Sequence, residues 1–397
     1  MKGPVILHLM NDFEDASISR IVERLLRHSS LVDLEWHVGS MANQGRMCDS
    51  FAARGAHIAD FSESRQQGRN VTAEIREYIN NHHVDLVHSH TPRTILAAAR
   101  ALFHNKQANS KVIHVATKHI LNAPKDRRWG LLYTLFDRAT LYMPDHLVAV
   151  SQKIRDQICA TPFIRPGRVS VIKNAIDCIA FYKPEQRLAC RAEFGFGDGC
   201  FVVGSAGRLE KVKRFDLLLE AFSLILKGHP EGRLLIIGEG QLRRELENLA
   251  SELGISHAVV FTGYRDDVPQ LLAAMDIYAQ TSVNEGLSLS VLEAMAAEKP
   301  VVVTDVGGAR EVITDNTNGI IIPPLSVAAI HEAIIHLMEM PELRLRLARS
   351  GKDHAFDNYN NHRMVQSYHD LYKRLLCNVP ETEHPEFKIN VDERMGV

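Results

Sequence analysis

Short apolar runs alternate with helical patterns along almost the whole chain, and this alternation restricts the fold more than any other feature. In the front half the runs are PVILHLM, LEWHVGS, DLVHSH, KVIHVAT, HLVAVS and VSVIKNAI, with helix-like stretches at Ile18–His28, Arg93–Phe103, Trp129–Tyr142 and Lys153–Ile158 between them. Residues 177–198, DCIAFYKPEQRLACRAEFGFGD, interrupt the pattern, which then restarts with CFVVGS, RLLIIGEG, VVFTGY, IYAQ, PVVVTD and GIIIPP. Runs of Val, Ile and Leu that each feed a helix pack as parallel, doubly wound sheets. Two such series predict two Rossmann-like domains, residues 1–180 and 181–355, with a cleft between them. A chain of 397 residues is long enough to give each its own core. The chain turns helical from Ser326 to about Cys377; residues 356–377 read as one closing helix and 378–397 as a polar, loosely ordered tail.

Doubly wound sheets seat ligands at the carboxyl ends of their strands. In the front half those positions hold Asn11, Asp12, His88, His90, Lys118, His119, Ser151 and Asn174. His88 and His90 alternate at a strand end and raise a metal reading, but no carboxylate or cysteine accompanies them at ligand spacing, so no metal is expected. His119, read by itself, is a packing residue.

In the back half, strand IYAQ runs through a Gly-containing loop into a helix over 281–298, TSVNEGLSLSVLEAMAAE. Free N–H groups and the positive end of a helix dipole then lie at the strand's carboxyl end, a natural seat for phosphate. Glu285 and Glu293 flank that seat. Carboxylates would repel a phosphate they faced, but they can grip hydroxyl groups on either side of it. Eight helical positions span at most roughly 12 Å, and a nucleoside diphosphate-sugar carries hydroxyls on its ribose and on its sugar. A sugar-nucleotide is therefore the expected ligand. GSAGRLEKVKR places Gly204, Gly207, Arg208 and Lys213 around a second strand-to-helix turn, and Gly307 and Gly308 leave room at a third strand end. Tyr264 follows Gly263 at another strand end, where it can pack on a nucleobase or serve as an edge residue.

Composition sets the remaining bounds. A hydrophobic share of 45% and a net charge of −2 describe a globular protein, and no apolar run approaches the ~20 residues that span a bilayer. Six scattered cysteines without CxxC spacing read as reduced thiols of a cytoplasmic protein. Residues 1–178 hold 23 basic and 17 acidic side chains, and the remainder 23 and 31. Within residues 91–130 there are 8 basic side chains and 1 acidic. This patch, with the amphipathic KDRRWGLLYTLF beside it, is either an ordinary solvated face or a peripheral contact with the inner face of the cell membrane or a lipid-linked diphosphate. No nucleic-acid partner is expected.

Over nearly its whole length the chain resembles a retaining glycosyltransferase of the GT-B fold, glycosyltransferase family 4 (group 1). The resemblance is carried by GRLEKVKRFDLLLEAF, LIIGEG, FTGYRDDVPQLLAAMDIYAQTS, NEGLSLSVLEAMA, KPVVVTDVGGAREVI and NGIIIPP in order, and more loosely by DLVHSHTP, VAVS and VIKNAID. It implies a UDP- or GDP-hexose donor, a glycan or lipid-linked acceptor in surface polysaccharide, lipopolysaccharide or glycolipid synthesis, no cofactor, no essential metal, and a closing helix that crosses back to the first domain. It also implies residue roles. Arg208 and Lys213, beside Gly207, would clamp the diphosphate, and the Gly286–Leu287 backbone and Ser288 would contact it. Glu285 would bind sugar hydroxyls, Glu293 the ribose, and His119 would lie against the sugar. The chain departs from the pattern in having NDFEDAS after the first strand in place of a glycine pair. Thr281 replaces a frequent proline, and Glu298 and Arg214 stand where glycine is common. A sugar-nucleotide epimerase or phosphorylase shares the fold, and a catalytically silent GT-B subunit is the reading outside enzymes; the Glu285–Glu293 pair with Arg208 and Lys213 weighs against all three.

Overall fold

The computed structural model describes residues 3–14, 17–27, 34–43, 45–62, 70–103, 112–120, 130–177, 186–197 and 199–377. Trp129, most of the 91–130 basic patch's lysines, the expected domain boundary near residue 180 and the polar tail lie outside them.

Two parallel sheets organise the chain. The first contains β1 (Val5–Asp12), β2 (Glu35–Asn43), β3 (His57–Asp60), β4 (Leu86–Ser89), β5 (Ile113–Lys118), β6 (His146–Ala149) and β7 (Val169–Val171), in the order β3-β2-β1-β4-β5-β6-β7. The second contains β8 (Phe201–Ala206), β9 (Gly232–Ile237), β10 (Val259–Phe261), β11 (Ile277–Gln280), β12 (Val301–Thr304) and β13 (Ile320–Ile322), in the order β10-β9-β8-β11-β12-β13. Both orders run outward in two directions from their first strand, so helices cover both faces. That is why Leu86, Val148, Val203, Leu235 and Val302 are buried, and why the strands read as unbroken apolar runs.

The order reverses between β1 and β4 in the first sheet and between β8 and β11 in the second. Loops leaving such neighbouring strands diverge to opposite faces and open a crevice at their carboxyl ends. The segments after β8 and β11 are those carrying Lys213 and Glu285.

The sequence merges residues 356–377 into one helix, but the structure breaks it. Residues 341–358 form one helix, Tyr359 and Asn360 turn the chain, and Asn361–Cys377 forms the next. Asn360 caps the new helix, its Oδ1 accepting from the Arg363 N–H at 3.1 Å. The last helix returns to the first sheet, where Tyr372 is fully buried against His88 at 2.5 Å and Tyr368 reaches Thr117 at 3.3 Å. β3 was not legible beforehand: His57–Asp60 is a four-residue edge strand with little apolar signal.

Candidate active site

The chain leaving β8 is held against the chain leaving β11. Thr281, where proline is frequent, uses its hydroxyl to donate to the carbonyls of Lys213 and Arg214 at 3.0 and 2.9 Å, and Val283 N–H donates to Val212 at 2.9 Å. These bonds deliver Lys213 to Glu285: Nζ lies 2.5 Å from Oε1, and the Ser282 hydroxyl donates to the same oxygen at 2.7 Å. Both side chains are largely but not wholly buried, so the pair faces the crevice rather than the core. Gly207 sits beside it, and a Cβ there would touch the Lys213 stem at 3.4 Å.

The loop after Glu285 crosses to the first domain. A Cβ on Gly286 would lie 1.9 Å from the His119 carbonyl oxygen, so only glycine permits this approach. Gly307, at φ +55°, is likewise required: its Cβ would meet the Glu285 carbonyl at 1.7 Å. Asn174 donates to the Leu287 carbonyl at 3.1 Å, and the Glu311 carboxylate caps the 152–159 helix of the first domain through the Gln152 and Lys153 N–H groups, each at 2.8 Å. The structure thus brings Glu285, Gly286, Lys213 and His119 to one cleft. A small pocket is lined by Gln280, Glu285, Gly286, Ser288 and Gly308 among others, without Lys213 or His119. Ser288 accepts from Gln280 at 2.7 Å.

His119 ends a row of imidazoles. Its Nε2 is 3.4 Å from His90 Nδ1, and His90 Nε2 is 3.0 Å from His8 Nδ1. Burial lowers the pKa of His119 to about 4, with the Lys118 ammonium adding to the effect. His8 is lowered to about 3 by burial, and His88 and His90 also fall well below their ordinary value for that reason first. The row is therefore neutral at pH 7. His8, His88 and His90 could offer nitrogens to one ion, but the nitrogens of His88 already meet Tyr372 and Thr117, and those of His90 meet His8 and His119. The histidines are hydrogen-bonded to each other and to the closing helix. Lys118 is paired in the core with Asp137, and Asn11 donates to its neighbour Asp12 at 2.8 Å.

Three expected contacts have a different setting from the one the sequence suggests. Glu293 is buried and engaged by the first domain: Arg24 reaches its Oε1 at 2.9 Å and Arg20 the same oxygen at 3.7 Å. Arg208 points outward, 69% exposed, and pairs with Glu210 at 3.0 Å, away from the Lys213–Glu285 pair. Tyr264 is half-exposed beneath the Arg46 guanidinium, 4.2 Å from its ring centroid. Arg20, Arg24, Ser282 and Glu311 are site residues the sequence did not single out. The one available signal was the i, i+4 spacing of Arg20 and Arg24 on one helix face.

Two Rossmann-like domains that meet across a cleft, with a last helix crossing back to the first, define a GT-B architecture. The chain belongs to the glycosyltransferases of group 1 and family 4. It matches "Glycosyl transferases group 1" over residues 187–354 and "Glycosyltransferase Family 4" over residues 44–179. It is similar to the "Putative glycosyltransferase EpsD" of Bacillus subtilis (strain 168), at 30% identity over 311 residues, covering 77% of this chain and 81% of EpsD. It is also similar to the UDP-Gal:alpha-D-GlcNAc-diphosphoundecaprenol alpha-1,3-galactosyltransferase of Escherichia coli, at 22% identity over 74% of this chain and 76% of the other. Anabaena Alr3699/HepE, solved with UDP-glucose, shares the fold with a TM-score of 0.82 at 21% identity, covering 93% of this chain and 99% of that one.

Proposed function

We propose that this glycosyltransferase moves a hexose-type sugar, with retention, from a UDP- or GDP-sugar to a glycan or lipid-linked acceptor in surface polysaccharide or glycolipid synthesis. The observation that carries the proposal is the cation Lys213 held at the β8/β11 switch point, beside Glu285 and across from His119. The names of the E. coli galactosyltransferase and of HepE's bound UDP-glucose support the donor class. That of the lipopolysaccharide core enzyme LpsE of Rhizobium meliloti, 31% identical over 56% of this chain, supports the pathway class.

In this reading the diphosphate takes the place Glu285 now has on the Lys213 ammonium, and Arg208 swings in from solvent as a second cation. Glu285 and neutral His119 hold sugar hydroxyls, and Glu293 uses Oε2 on the ribose because both arginines approach Oε1. The acceptor hydroxyl attacks the anomeric carbon from the side the leaving group departs. The carbon–oxygen bond to phosphate breaks as the new glycosidic bond forms, and a phosphate oxygen takes the acceptor's proton. Lys213, the incoming Arg208 and the N-terminus of the Leu289–Ala296 helix stabilise the leaving charge, so no metal or cofactor is required at the cleft. Exposed Leu132 and Leu135, one turn apart on the Gly130–Ala139 helix, support a peripheral membrane contact. No helix among the described residues is long and apolar enough to cross a membrane. Cys48, Cys159, Cys190, Cys200 and Cys377 form no disulfide among the described residues, which supports work at the cytoplasmic face.

The test is a thermal-shift screen of UDP-, GDP-, ADP- and dTDP-sugars, followed by NMR of the product's anomeric proton in EDTA. One UDP- or GDP-sugar should raise the transition and yield a product of the donor's anomeric configuration. Inversion, or activity that EDTA abolishes and a divalent ion restores, would overturn the mechanism.

A further inference from the structure

A second group of ionisable side chains lies at the opposite end of the first sheet, where the strands begin. Glu35 and His37 open β2 and, two positions apart, share one of its faces. His57 opens the edge strand β3 and stands directly beside His37 in the parallel register. Glu35 Oε1 lies 3.2 Å from His37 Nε2 and 3.6 Å from His57 Nε2, and all three donor atoms fall within 4.8 Å of one another. Bonds of 2.0–2.1 Å from a tetrahedral zinc ion set its ligand atoms about 3.3 Å apart. Two of the three edges therefore already have near-ligand spacing.

The surroundings fit the same purpose. His37 Nδ1 is 2.7 Å from the Tyr78 hydroxyl on the Val71–Asn81 helix. A ring whose Nδ1–H donates to that hydroxyl turns its Nε2 lone pair toward Glu35 and His57, the orientation that outer partners impose on metal-bound histidine. Two acceptors, Nε2 and a carboxylate oxygen, then face each other at 3.2 Å and need a cation between them. His57 is 61% exposed, which gives an ion an entry path. His82 stands beside the group, its ring centroid 5.3 Å from that of His37.

We propose that Glu35, His37 and His57 form a binding site for a borderline divalent metal ion, zinc foremost, with the fourth position taken by water or His82. Two imidazoles and one carboxylate suit zinc, nickel or copper and not magnesium or calcium, which prefer all-oxygen sets. The ion would tie the edge strand β3 to β2 far from the cleft, so stripping it leaves the donor site intact.

The experiment uses the full chain, stripped with EDTA, desalted and titrated with zinc chloride against a chromophoric zinc indicator. We expect one equivalent to bind and the thermal transition to rise. His57→Ala and Glu35→Gln should each weaken binding by at least about tenfold, while their transitions in EDTA match that of the unsubstituted protein. His57 is exposed, so its loss does not threaten folding. Failure to bind zinc, or binding unchanged in both variants, would overturn the site. The first result would leave His37 Nε2–H simply donating to Glu35, and the second would put the ion elsewhere.

Discussion

Removing Arg24 perturbs the least expected contact of the site, and its cost can be worked from the geometry. The Arg24 guanidinium donates to Glu293 Oε1 at 2.9 Å and to the Ala175 carbonyl at 2.8 Å. Both charged side chains are under 10% exposed. Deleting one partner of a buried pair costs about 3–5 kcal/mol, because the other charge stays buried and unpaired. Arg20 remains at 3.7 Å and is a quarter exposed, so Arg24→Ala should fall near the lower end, about 3 kcal/mol. Glu293→Gln should also destabilise, since it leaves Arg24 buried against a neutral amide. In the double variant neither charge remains unpaired, so the two costs should fail to add by about 1–2 kcal/mol, within the span seen for contacting residues. Equilibrium urea denaturation of the wild type, both single variants and the double variant measures this coupling. Costs that add to within about 0.5 kcal/mol would mean that Arg24 and Glu293 do not act as a pair, and that the two domains meet differently from the contact described above.

Gly286→Ala should keep its circular dichroism yet lose turnover by about 100-fold or more, because its methyl would displace the His119 carbonyl and open the cleft; retention of normal turnover would deny the contact. Acid should destabilise the protein steeply. His8, His114, His119 and His146 have folded pKa values lowered to about 3, 4, 4 and 4, so between about pH 4 and 6.5 the unfolded chain binds more protons. Stability is then full above about pH 6.5 and is lost as pH falls through that window; calorimetry at pH 5.5 should find more than one proton taken up on unfolding, and no net uptake would contradict the burial of these rings. Glu311→Ala should lower the thermal transition by removing the carboxylate from two N–H groups at the start of the 152–159 helix; an unchanged transition would show that the contact contributes nothing.

The sequence shows the fold well because its strands are buried on both faces. Runs such as VVV at 301–303 and III at 320–322 leave little choice of element, and strand–helix alternation then dictates parallel pairing. The meeting of Lys213 and Glu285 at one crevice is legible, since they sit on loops leaving two neighbouring strands, whereas the settings of Glu293, Arg208 and Tyr264 are not. Even the departures carry meaning. Arg214 and Glu298, where glycine is frequent, adopt φ +51° and +55°, and their side chains pair with Asp216 and Lys352. What could not be read are contacts set by how the domains meet. Arg24 and Glu293 are 269 positions apart, and no local pattern pairs them. The outward turn of Arg208 toward Glu210 is a side-chain choice that a motif does not encode. His8 was missed because one histidine in the apolar run PVILHLM carries no sign of the imidazole row it joins.

The central claim, that the Lys213–Glu285 crevice is where the donor's diphosphate leaves, is tested most directly by turnover of Lys213→Ala with the sugar-nucleotide the screen identifies. Loss of one preorganised charge contact predicts a fall in kcat of about 100-fold or more, with the native circular dichroism retained in the absence of donor. A rate near that of the unsubstituted enzyme would contradict the claim.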